Sequence, residues 1–459
     1  MEEDERKENE RREFEENVQN LRSLIAIKDQ AGISEMIDSR QMIDFAQMVE
    51  DLDDGEVRSL LGLMSDDQVA SLLEDAEDDE RIRIAHQLDN RRLFIAFGFM
   101  QKDDIVDMLG DFPFDRRKAV INLMKEEDKE IITKLLNYPE DSAGGLMSTA
   151  YIALRADLTV ADALEKMRAI GTHTEVIDTI YVTDETRKLI GSVDLRDILT
   201  SPRQRPLSAI MDSNVVSVSP ETDQEEVARL VSKYDLTAIP VVSATGQIFG
   251  IVTVDDVIDV IVEEYDEDML QMAGVNKEED LDSTLTESIR MRLPWLLINL
   301  ATAFLASFVV KLFESTIEQV VALSAIMTIV SGMGGNAGTQ TMSIMVRQLA
   351  REDIRFRDSF RAFCKELLLG VIDGGACGLV TGVIVTIVYR NVWLGIIVLL
   401  AMIGNLVVAG LFGFLVPLIL KKLHADPAIA SSIFVTTATD VLGFFIFLGL
   451  ARALMRFLL

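Results

Sequence analysis

Hydrophobic and acidic positions alternate with a helical period over the first third of the chain. Leucine, isoleucine and methionine recur at three- and four-residue spacing, as in DDQVASLLEDA and DDIVDMLGDF, and this spacing places them on one face of a helix. Asp and Ser recur where these segments begin, as they do at helix N-termini. The pattern returns about every dozen residues. It predicts an acidic α-helical domain over residues 18–140, built as a superhelical stack of short amphipathic helices.

The next stretch of the chain contains a duplication. The segment TVADALEKM pairs with DQEEVARLV, and GSVDLRDIL pairs with GIVTVDDVI. Each copy predicts an extended segment, a helix, two strands joined by a turn, and an acidic residue that opens a second helix. We therefore predict an α/β region over residues 141–260, with copies at 147–208 and 209–260. The stretch IPVVSATGQIFGIVTVDDVIDVI resembles a cystathionine-β-synthase (CBS) domain, and a tandem of such domains implies a regulatory binding module.

A dense run of acids without a base follows the second copy. Its members are Asp255, Asp256, Asp259, Glu263, Glu264, Asp266, Glu267 and Asp268. Such a run is commonly a solvated helix face. Carboxylates this dense also repel one another, and a hard divalent cation with oxygen ligands would relieve that repulsion. Both interpretations remain open for the linking helix that we predict over residues 261–290, directly before the first membrane helix.

The last part of the chain changes to long apolar runs. They centre on residues 293–312, 318–346, 363–389, 392–420 and 428–457. Each run is long enough to span about 30 Å of hydrocarbon, which predicts a transmembrane domain of five helices, all α, over residues 291–459. The loops after the second and fourth runs are basic, and basic loops stay in the cytoplasm. We therefore expect a multi-pass protein of the bacterial inner membrane with a cytoplasmic N-terminus and a periplasmic C-terminus.

Composition narrows the classes of function. The formal net charge is −31 at pH 7, and residues 1–290 alone carry a net of −35, from 66 acids and 31 bases. This charge disfavours nucleic acid as a partner. The charged N-terminus lacks the apolar core of a secretory signal. Cys364 and Cys377 have a spacing that fits neither a thiol redox pair nor a zinc site. With no evident nucleophile and base pair and no Gly-x-x-x-x-Gly-Lys loop, we do not expect an enzyme.

Asp440 is the strongest candidate for chemistry within the apolar runs. A charge at mid-bilayer costs at least about 3 kcal/mol and is usually kept for a pathway. It ends the segment DPAIASSIFVTTATD, in which Asp426 and Thr436 supply further oxygen atoms and no base occurs. In the second run, GMGGNAGTQ combines glycines for close backbone approach with Asn336 and Gln340 as neutral ligands, and a plain packing motif is the alternative there.

Two further polar residues lie within the apolar runs. Asp373, in GVIDGGACG, fits a pore-lining role as well as a role in bridging helices, because the glycines around it favour tight helix packing. Asn405 is a similar candidate in the fourth run. The sequence leaves the roles of both residues open.

The order of these parts resembles the MgtE family of magnesium channels. The resemblance runs from about residue 20 to the end, and GGNAGTQ and DPAIAS…TTATD are its most specific membrane motifs. It implies a homodimer with the ion path along the dimer axis, where Asp440 of each subunit is the central magnesium ligand. It also implies that magnesium bound between the cytoplasmic parts closes the pore with the linking helix.

The resemblance also implies a set of regulatory carboxylates. Carried onto matching positions, these are Asp103, Asp107, Asp223, Glu225, Asp235, Asp256, Asp259, Glu264, Glu267 and Asp268. One position departs from the family, since Ser71 stands where a further glutamate can occur, with Glu74 and Asp75 nearby. That sensing site is therefore expected to be weaker or rearranged.

The favoured hypothesis is uptake of Mg²⁺, as both substrate and regulator, through a homodimeric pore in the lipid bilayer. One alternative is a membrane-anchored sensor whose CBS pair binds an adenine nucleotide. Another is a manganese or cobalt transporter of the same architecture, because oxygen sites hold these ions too. The sequence does not distinguish a channel from a carrier coupled to protons.

Overall fold

The computed structural model describes residues 2–170, 174, 176–276, 279, 283–351, 356–423, 425–428 and 431–458. By their internal contacts they form two compact units, Met1–Ile261 and Val262–Leu459.

The first part of unit 1 is a stack of short helices, as the hydrophobic spacing predicts. The helices are α1 Glu2–Ile27, α2 Gln30–Asp38, α3 Met42–Glu50, α4 Asp54–Leu61, α5 Asp66–Asp75, α6 Asp78–Gln87, α7 Asn90–Ala96, α8 Lys102–Asp111, α9 Phe114–Ile121 and α10 Glu126–Leu135. Their apolar faces meet in one core, in which Phe45, Leu60 and Leu72 are fully buried. Reciprocal capping boxes begin α4 at Asp53 and α5 at Ser65, which explains the recurrent Asp and Ser.

Arginines from later helices satisfy the carbonyl groups at the ends of earlier ones. Arg83 on α6 donates to the carbonyl oxygens of Val49 (3.0 Å) and Leu52 (2.8 Å), at the end of α3. Arg116 on α9 donates in the same way to Ala85 at 2.6 Å, near the end of α6. The Val49 carbonyl also accepts from the Leu52 amide, and the Ala85 carbonyl from the Leu88 amide, so each arginine adds a further donor where a helix ends. Each arginine therefore fastens its helix to the third helix before it.

The duplicated region forms two α/β copies, which confirms the CBS-like pattern. The first copy contains β1 Ala153–Arg155, α11 Val160–Ile170, β2 Thr179–Thr183, β3 Leu189–Asp194 and α12 Leu195–Thr200. The second contains α13 Gln224–Tyr234, β4 Ala238–Val242, β5 Ile248–Thr253 and α14 Val254–Met272. Strand β2 pairs with β1 in parallel and with β3 antiparallel, and β4 pairs antiparallel with β5. The copies touch where the Tyr181 hydroxyl donates to the Ala238 carbonyl at 3.3 Å.

The linking helix is shorter than the predicted range of 261–290. Helix α14 continues the second CBS copy without a break but ends at Met272. Gly274 has a φ of +76°, and the Val275 amide donates back to the Leu270 carbonyl at 2.9 Å. A glycine with positive φ and such a back-directed bond terminates a helix. The next helix begins only at Leu285.

Unit 2 is a helical bundle. Its further helices are α15 Leu285–Leu312, α16 Glu314–Gln319, α17 Ala322–Arg351, α18 Phe356–Tyr389, α19 Val392–Lys422, α20 Ser431–Ala453 and α21 Met455–Leu458. Among the described residues, α15, α18, α19 and α20 are long and apolar enough to cross a membrane. Helix α17 has the length, but its run of Gly, Asn, Thr, Gln and Ser lowers its hydropathy. Five long helices are thus present, and among the described residues four of them are apolar enough to cross a membrane.

Helix α19 lies at the centre of this bundle, packed against α17, α18 and α20. Four glycines of α18, spaced by four residues, line its contact with α19. A Cβ atom at Gly370 would lie 2.7 Å from the Leu406 carbonyl oxygen, and one at Gly374 would lie 2.6 Å from the Ile403 Cα. Gly370 and Gly374, on either side of Asp373, therefore serve helix packing, whereas a Cβ atom at Gly375 would meet nothing within 4 Å. Asp373 itself is exposed on α18 in the single chain.

Candidate ion pathway and regulatory carboxylates

The Asp440 carboxylate lies half-buried on α20, where it faces α17. Its Oδ1 accepts a hydrogen bond from the Ser331 hydroxyl of α17. No lysine or arginine in the described part of the chain forms an ion pair with it, so a buried salt bridge does not explain this acid. Ser331 escaped the sequence analysis because a single serine upstream of a glycine-rich segment carries no signal of its own.

Hydroxyl groups precede Asp440 along α20. Thr436 donates to the Ser432 carbonyl at 2.8 Å, and Thr439 donates to the Thr436 carbonyl at 3.0 Å. Such bonds to the preceding turn use the hydroxyl hydrogen and leave the oxygen lone pairs as acceptors. Thr436 therefore keeps an acceptor oxygen, and its role as a pore ligand stays a prediction, whereas Thr439 is fully buried.

The GMGGNAGTQ segment of α17 has two different faces. Gly332, Asn336 and Gln340 are spaced by four residues and are exposed in the single chain, and a Cβ atom at Gly332 would meet nothing within 4 Å. On the opposite face, a Cβ atom at Gly338 would lie 2.5 Å from Val435 Cγ1, and one at Gly334 would collide with Asn405. The motif thus combines helix packing with an open polar face.

Asp426 does not accompany Asp440. It precedes α20, and Asp440 lies nine residues inside that helix, a rise of about 14 Å. Its carboxylate accepts from the Ala428 amide at 2.7 Å. Burial is the first cause that raises its pKa, and the charge of Glu267 adds to it. The structure thus places Asp426 in the loop before α20 and beside α14, and its assignment to the pore ligands stays a prediction.

The end of α14 forms an acidic group with Asp426, which we call the α14 C-terminal group. Burial first, then the charges of Asp426, Glu264 and Glu267, raise the pKa of Asp268 to about 6. In the same region Met272 packs against a cluster that contains Met342, Val346, Ala428 and Val435. The acids predicted along the linking helix therefore include three that lie at this end of the bundle.

The start of α14 belongs to a second acidic group, within unit 1, which we call the α14 N-terminal group. Burial and the neighbouring charge of Glu74 on α5 raise the pKa of Asp104 on α8 to about 7. Arg81 acts in the opposite direction, and Asp107 and Asp256 contribute further repulsion. Asp104 escaped the sequence analysis because the run of adjacent acids gave no sign of which one points inward.

Asp256 is held within this group by a local hydrogen bond. Its Oδ2 accepts from the Thr253 hydroxyl at 2.6 Å. Burial is the largest cause that raises its pKa, while this hydrogen bond lowers it, and Asp259 raises it further. Asp259 itself is exposed. The structure thus brings Asp107 and Asp256 into one region.

The predicted acids of α13 are separated from one another. The Asp223 carboxylate accepts from the Glu225 amide at 2.9 Å and caps the N-terminus of α13, whereas Asp235 ends the helix with a φ of +51°. The helix between them spans about 16 Å. Asp103 lies half-buried on α8. Among the described residues, no three carboxylate, histidine or cysteine side chains converge as a metal-binding group.

Family models match most of the chain. The MgtE intracellular N domain matches residues 41–141, CBS domains match 143–203 and 207–263, and the MgtE divalent cation transporter domain matches 327–450. The magnesium transporter MgtE of Bacillus subtilis is 35% identical over 333 residues, which cover 72% of this chain and 74% of that protein. The chain belongs to the MgtE family. That of Thermus thermophilus is 36% identical over 343 residues, covering 73% and 75% of the two chains.

Two solved structures of parts of magnesium-transport proteins are similar to about half of this chain. The cytosolic domain of the Mg²⁺ channel MgtE in complex with ATP has a TM-score of 0.50 at 32% identity and covers 53% of this chain and 99% of that one. The soluble part of a magnesium transporter has a TM-score of 0.51 at 27% identity, covering 55% and 99%. The MgtE family consists of magnesium transporters in membranes, which are not enzymes.

Proposed function

We propose that this protein takes up Mg²⁺ through a path lined by α17 and α20, and that cytoplasmic Mg²⁺ closes this path through the acids of α14. Magnesium transport follows from membership of the MgtE family. The observation that carries the ion path is Asp440, a membrane carboxylate whose bonded partner in the described chain is a neutral hydroxyl.

The donors near Asp440 fit a hard cation. Carboxylate, hydroxyl and amide oxygens are available from Asp440, Thr436, Asn336 and Gln340, and Mg²⁺ prefers oxygen ligands. Mg²⁺ also sheds its waters reluctantly, so a carboxylate with neutral neighbours suits a largely hydrated ion. The same donors suit Mn²⁺ and Co²⁺, which makes the flux of these ions part of the test.

A homodimer is proposed because it would cover the open polar face of α17. Asn336 and Gln340 are exposed in the single chain, and polar side chains facing lipid are costly. When two copies place these faces together, the polar groups line a shared path and leave the lipid. We further propose that the protein lies in a bacterial inner membrane, where the basic loops keep the N-terminal unit on the cytoplasmic side. The C-terminus would then lie on the outer side.

Regulation is proposed at the two acidic groups of α14. Both contain carboxyl groups whose pKa values are raised by burial and by neighbouring acids, so their ionised forms repel one another. Bound Mg²⁺ would offset this repulsion and favour the conformation in which the groups are assembled. Further Mg²⁺ ligands would come from α8 and α13 if these helices move toward the acidic groups, or if a second copy of the chain brings its acids close. These ligands are Asp103, Asp223, Glu225 and Asp235.

The CBS pair is proposed to bind an adenine nucleotide. The related cytosolic domain that forms a complex with ATP shares 32% identity with this chain and a TM-score of 0.50. The nucleotide would act as a regulator, because the membrane unit carries the proposed path. Titration of the full-length protein with ATP, with and without Mg²⁺, tests this, and the absence of saturable binding in both conditions contradicts it.

The transport proposal is tested by ion flux into liposomes that contain the purified protein. Mg²⁺ on the cytoplasmic side is varied, and Mn²⁺ and Co²⁺ are measured in parallel. We expect Mg²⁺ flux that falls as cytoplasmic Mg²⁺ rises. No flux above that of protein-free liposomes would reject transport, and flux independent of cytoplasmic Mg²⁺ would reject the regulation.

A further inference from the structure

Asn405 is a fully buried polar residue at the centre of α19. Its side-chain amide donates to the Val330 carbonyl of α17 at 2.7 Å. Its Oδ1 is buried and has no hydrogen-bond partner among the described residues. Buried polar groups normally have partners, so an amide in this position requires an explanation. A leucine would fill a similar volume without an unsatisfied oxygen.

Two glycines make room for this amide on opposite sides. A Cβ atom at Gly334 of α17 would collide with Asn405 Nδ2, and one at Gly443 of α20 would lie 2.5 Å from Asn405 Oδ1. The side chain therefore sits between α17 and α20 and touches the backbone of both. Shape and hydrogen bonding both hold it there.

The same amide is adjacent to both partners of the Asp440 hydrogen bond. Val330, which accepts from Asn405, directly precedes Ser331, which donates to Asp440. Gly443, on the other side, lies three residues after Asp440, within the next turn of α20. The amide thus contacts α17 beside the hydroxyl donor and α20 one turn from the carboxylate.

We propose that Asn405 is a positioning residue, which fixes α17 against α20 so that Ser331 holds the Asp440 carboxylate in one orientation toward the ion path. The inference rests on the proposed role of Asp440. Residues that orient a metal-binding group through a second layer of contacts typically change affinity or activity by about 10- to 100-fold when they are replaced. Asn405 therefore affects how tightly Asp440 engages the ion, and hence which ion it favours.

The experiment compares Mg²⁺ flux in liposomes for the wild type, Asn405→Leu, Gly334→Ala and the double variant Gly334→Ala with Asn405→Ala. Apparent KM, maximal flux, the ratio of Ca²⁺ to Mg²⁺ flux, and the Tm of the purified protein are measured for each. Val398→Ala is the matched control, because Val398 is fully buried two turns earlier on α19 and its replacement removes volume without touching the amide.

Asn405→Leu is expected to raise the apparent KM for Mg²⁺ by about tenfold or more and to raise the Ca²⁺ to Mg²⁺ ratio, with a near-normal Tm. Val398→Ala is expected to lower Tm while it leaves KM and the ion ratio unchanged. Gly334→Ala alone should lower both Tm and flux, because its methyl group collides with the amide.

The double variant separates positioning from packing. Removal of both the collision and the amide should restore Tm, while the raised KM and the altered ion ratio persist. Recovery of all three quantities in the double variant would overturn the proposal, as would a KM and ion ratio in Asn405→Leu within twofold of the wild type. Absence of wild-type flux, or normal flux in Asp440→Ala, would instead reject the proposed function itself.

Discussion

Asp440 and the acids of α14 are all carboxylates in sheltered positions, but their surroundings differ. Among the residues that the structure describes, Asp440 has one bonded partner, a neutral hydroxyl. Asp104 and Asp268 lie among other acids, and burial together with that repulsion raises their pKa values to about 7 and about 6. A carboxylate with neutral neighbours in its own chain attracts an ion without trapping it, which suits passage. Grouped carboxylates gain most when a cation joins them, which suits sensing.

Removal of the Asp440 carboxylate should have the largest effect on Mg²⁺ flux. We expect Asp440→Ala to lower Mg²⁺ flux by at least about 100-fold, because the path loses its charged ligand, while the protein still folds and dimerises. Liposome flux and size-exclusion chromatography measure the two properties. Glu314→Gln is the matched control, since it neutralises an exposed acid in the first turn of α16 and should keep most of the flux. Normal flux in Asp440→Ala would remove Asp440 from the path.

Neutralising acids along α14 should affect closure and leave conduction intact. With Asp256→Asn, Asp259→Asn and Glu264→Gln combined, we expect the cytoplasmic Mg²⁺ concentration that halves the flux to rise by about tenfold or more. The same number of changes at the exposed residues Glu13, Glu15 and Glu16 of α1 serves as the control and should leave closure unchanged. If closure in the α14 variant matches the wild type, its acids are only a solvated face.

The hydroxyl beside Asp440 should have an intermediate effect. Ser331→Ala removes the donor that orients the carboxylate, and we expect an increase in the apparent KM of about tenfold. Ser331→Thr keeps the hydroxyl group and should retain more of the affinity. Liposome flux at graded Mg²⁺ concentrations measures both variants, and equal KM values for the alanine variant and the wild type would show that the carboxylate needs no donor from α17.

Neutralising Asp104 is expected to have a smaller effect, on the thermal stability of unit 1. The pKa of Asp104 is raised from 3.8 to about 7, so the folded state binds its proton more tightly than the unfolded state. Between about pH 4 and 7 the contribution of Asp104 to the free energy of unfolding falls as pH rises. Above pH 7 the full cost of holding the ionised carboxylate in this group remains. In chelator at pH 8, Asp104→Asn should therefore raise Tm by about 4 °C.

Two comparisons complete that test. The gain in Tm from Asp104→Asn should shrink as the pH is lowered from 8 to 6, because the wild-type carboxyl group then takes up its proton. Asp115→Asn, at the first turn of α9, is the control with no place in the acidic group. A Tm of Asp104→Asn equal to or below that of the wild type at pH 8 would contradict the repulsion inferred for the α14 N-terminal group.

The sequence predicted elements with a repeating pattern better than single contacts. The helical stack follows from apolar spacing, and the CBS copies follow from their duplication. Asp440 could be found because it is a charge within an apolar run. Ser331 and Asp104 could not, because one depends on a pairing between residues 109 positions apart and the other on which of several adjacent acids faces inward. The early end of α14 had a usable signal in Gly274, since glycine commonly terminates helices.

Two arginines, each of which fastens a helix of the N-terminal stack to the third helix before it, bear on how this domain opens. Arg83 joins α6 to α3, and Arg116 joins α9 to α6, so helices distant in the sequence share their end groups. A helix in such a chain of links does not fray by itself, because its release also exposes the carbonyls of an earlier helix. Amide hydrogen exchange in this stack should therefore report one cooperative opening, and the domain that carries Asp104 should respond to ions as a single body.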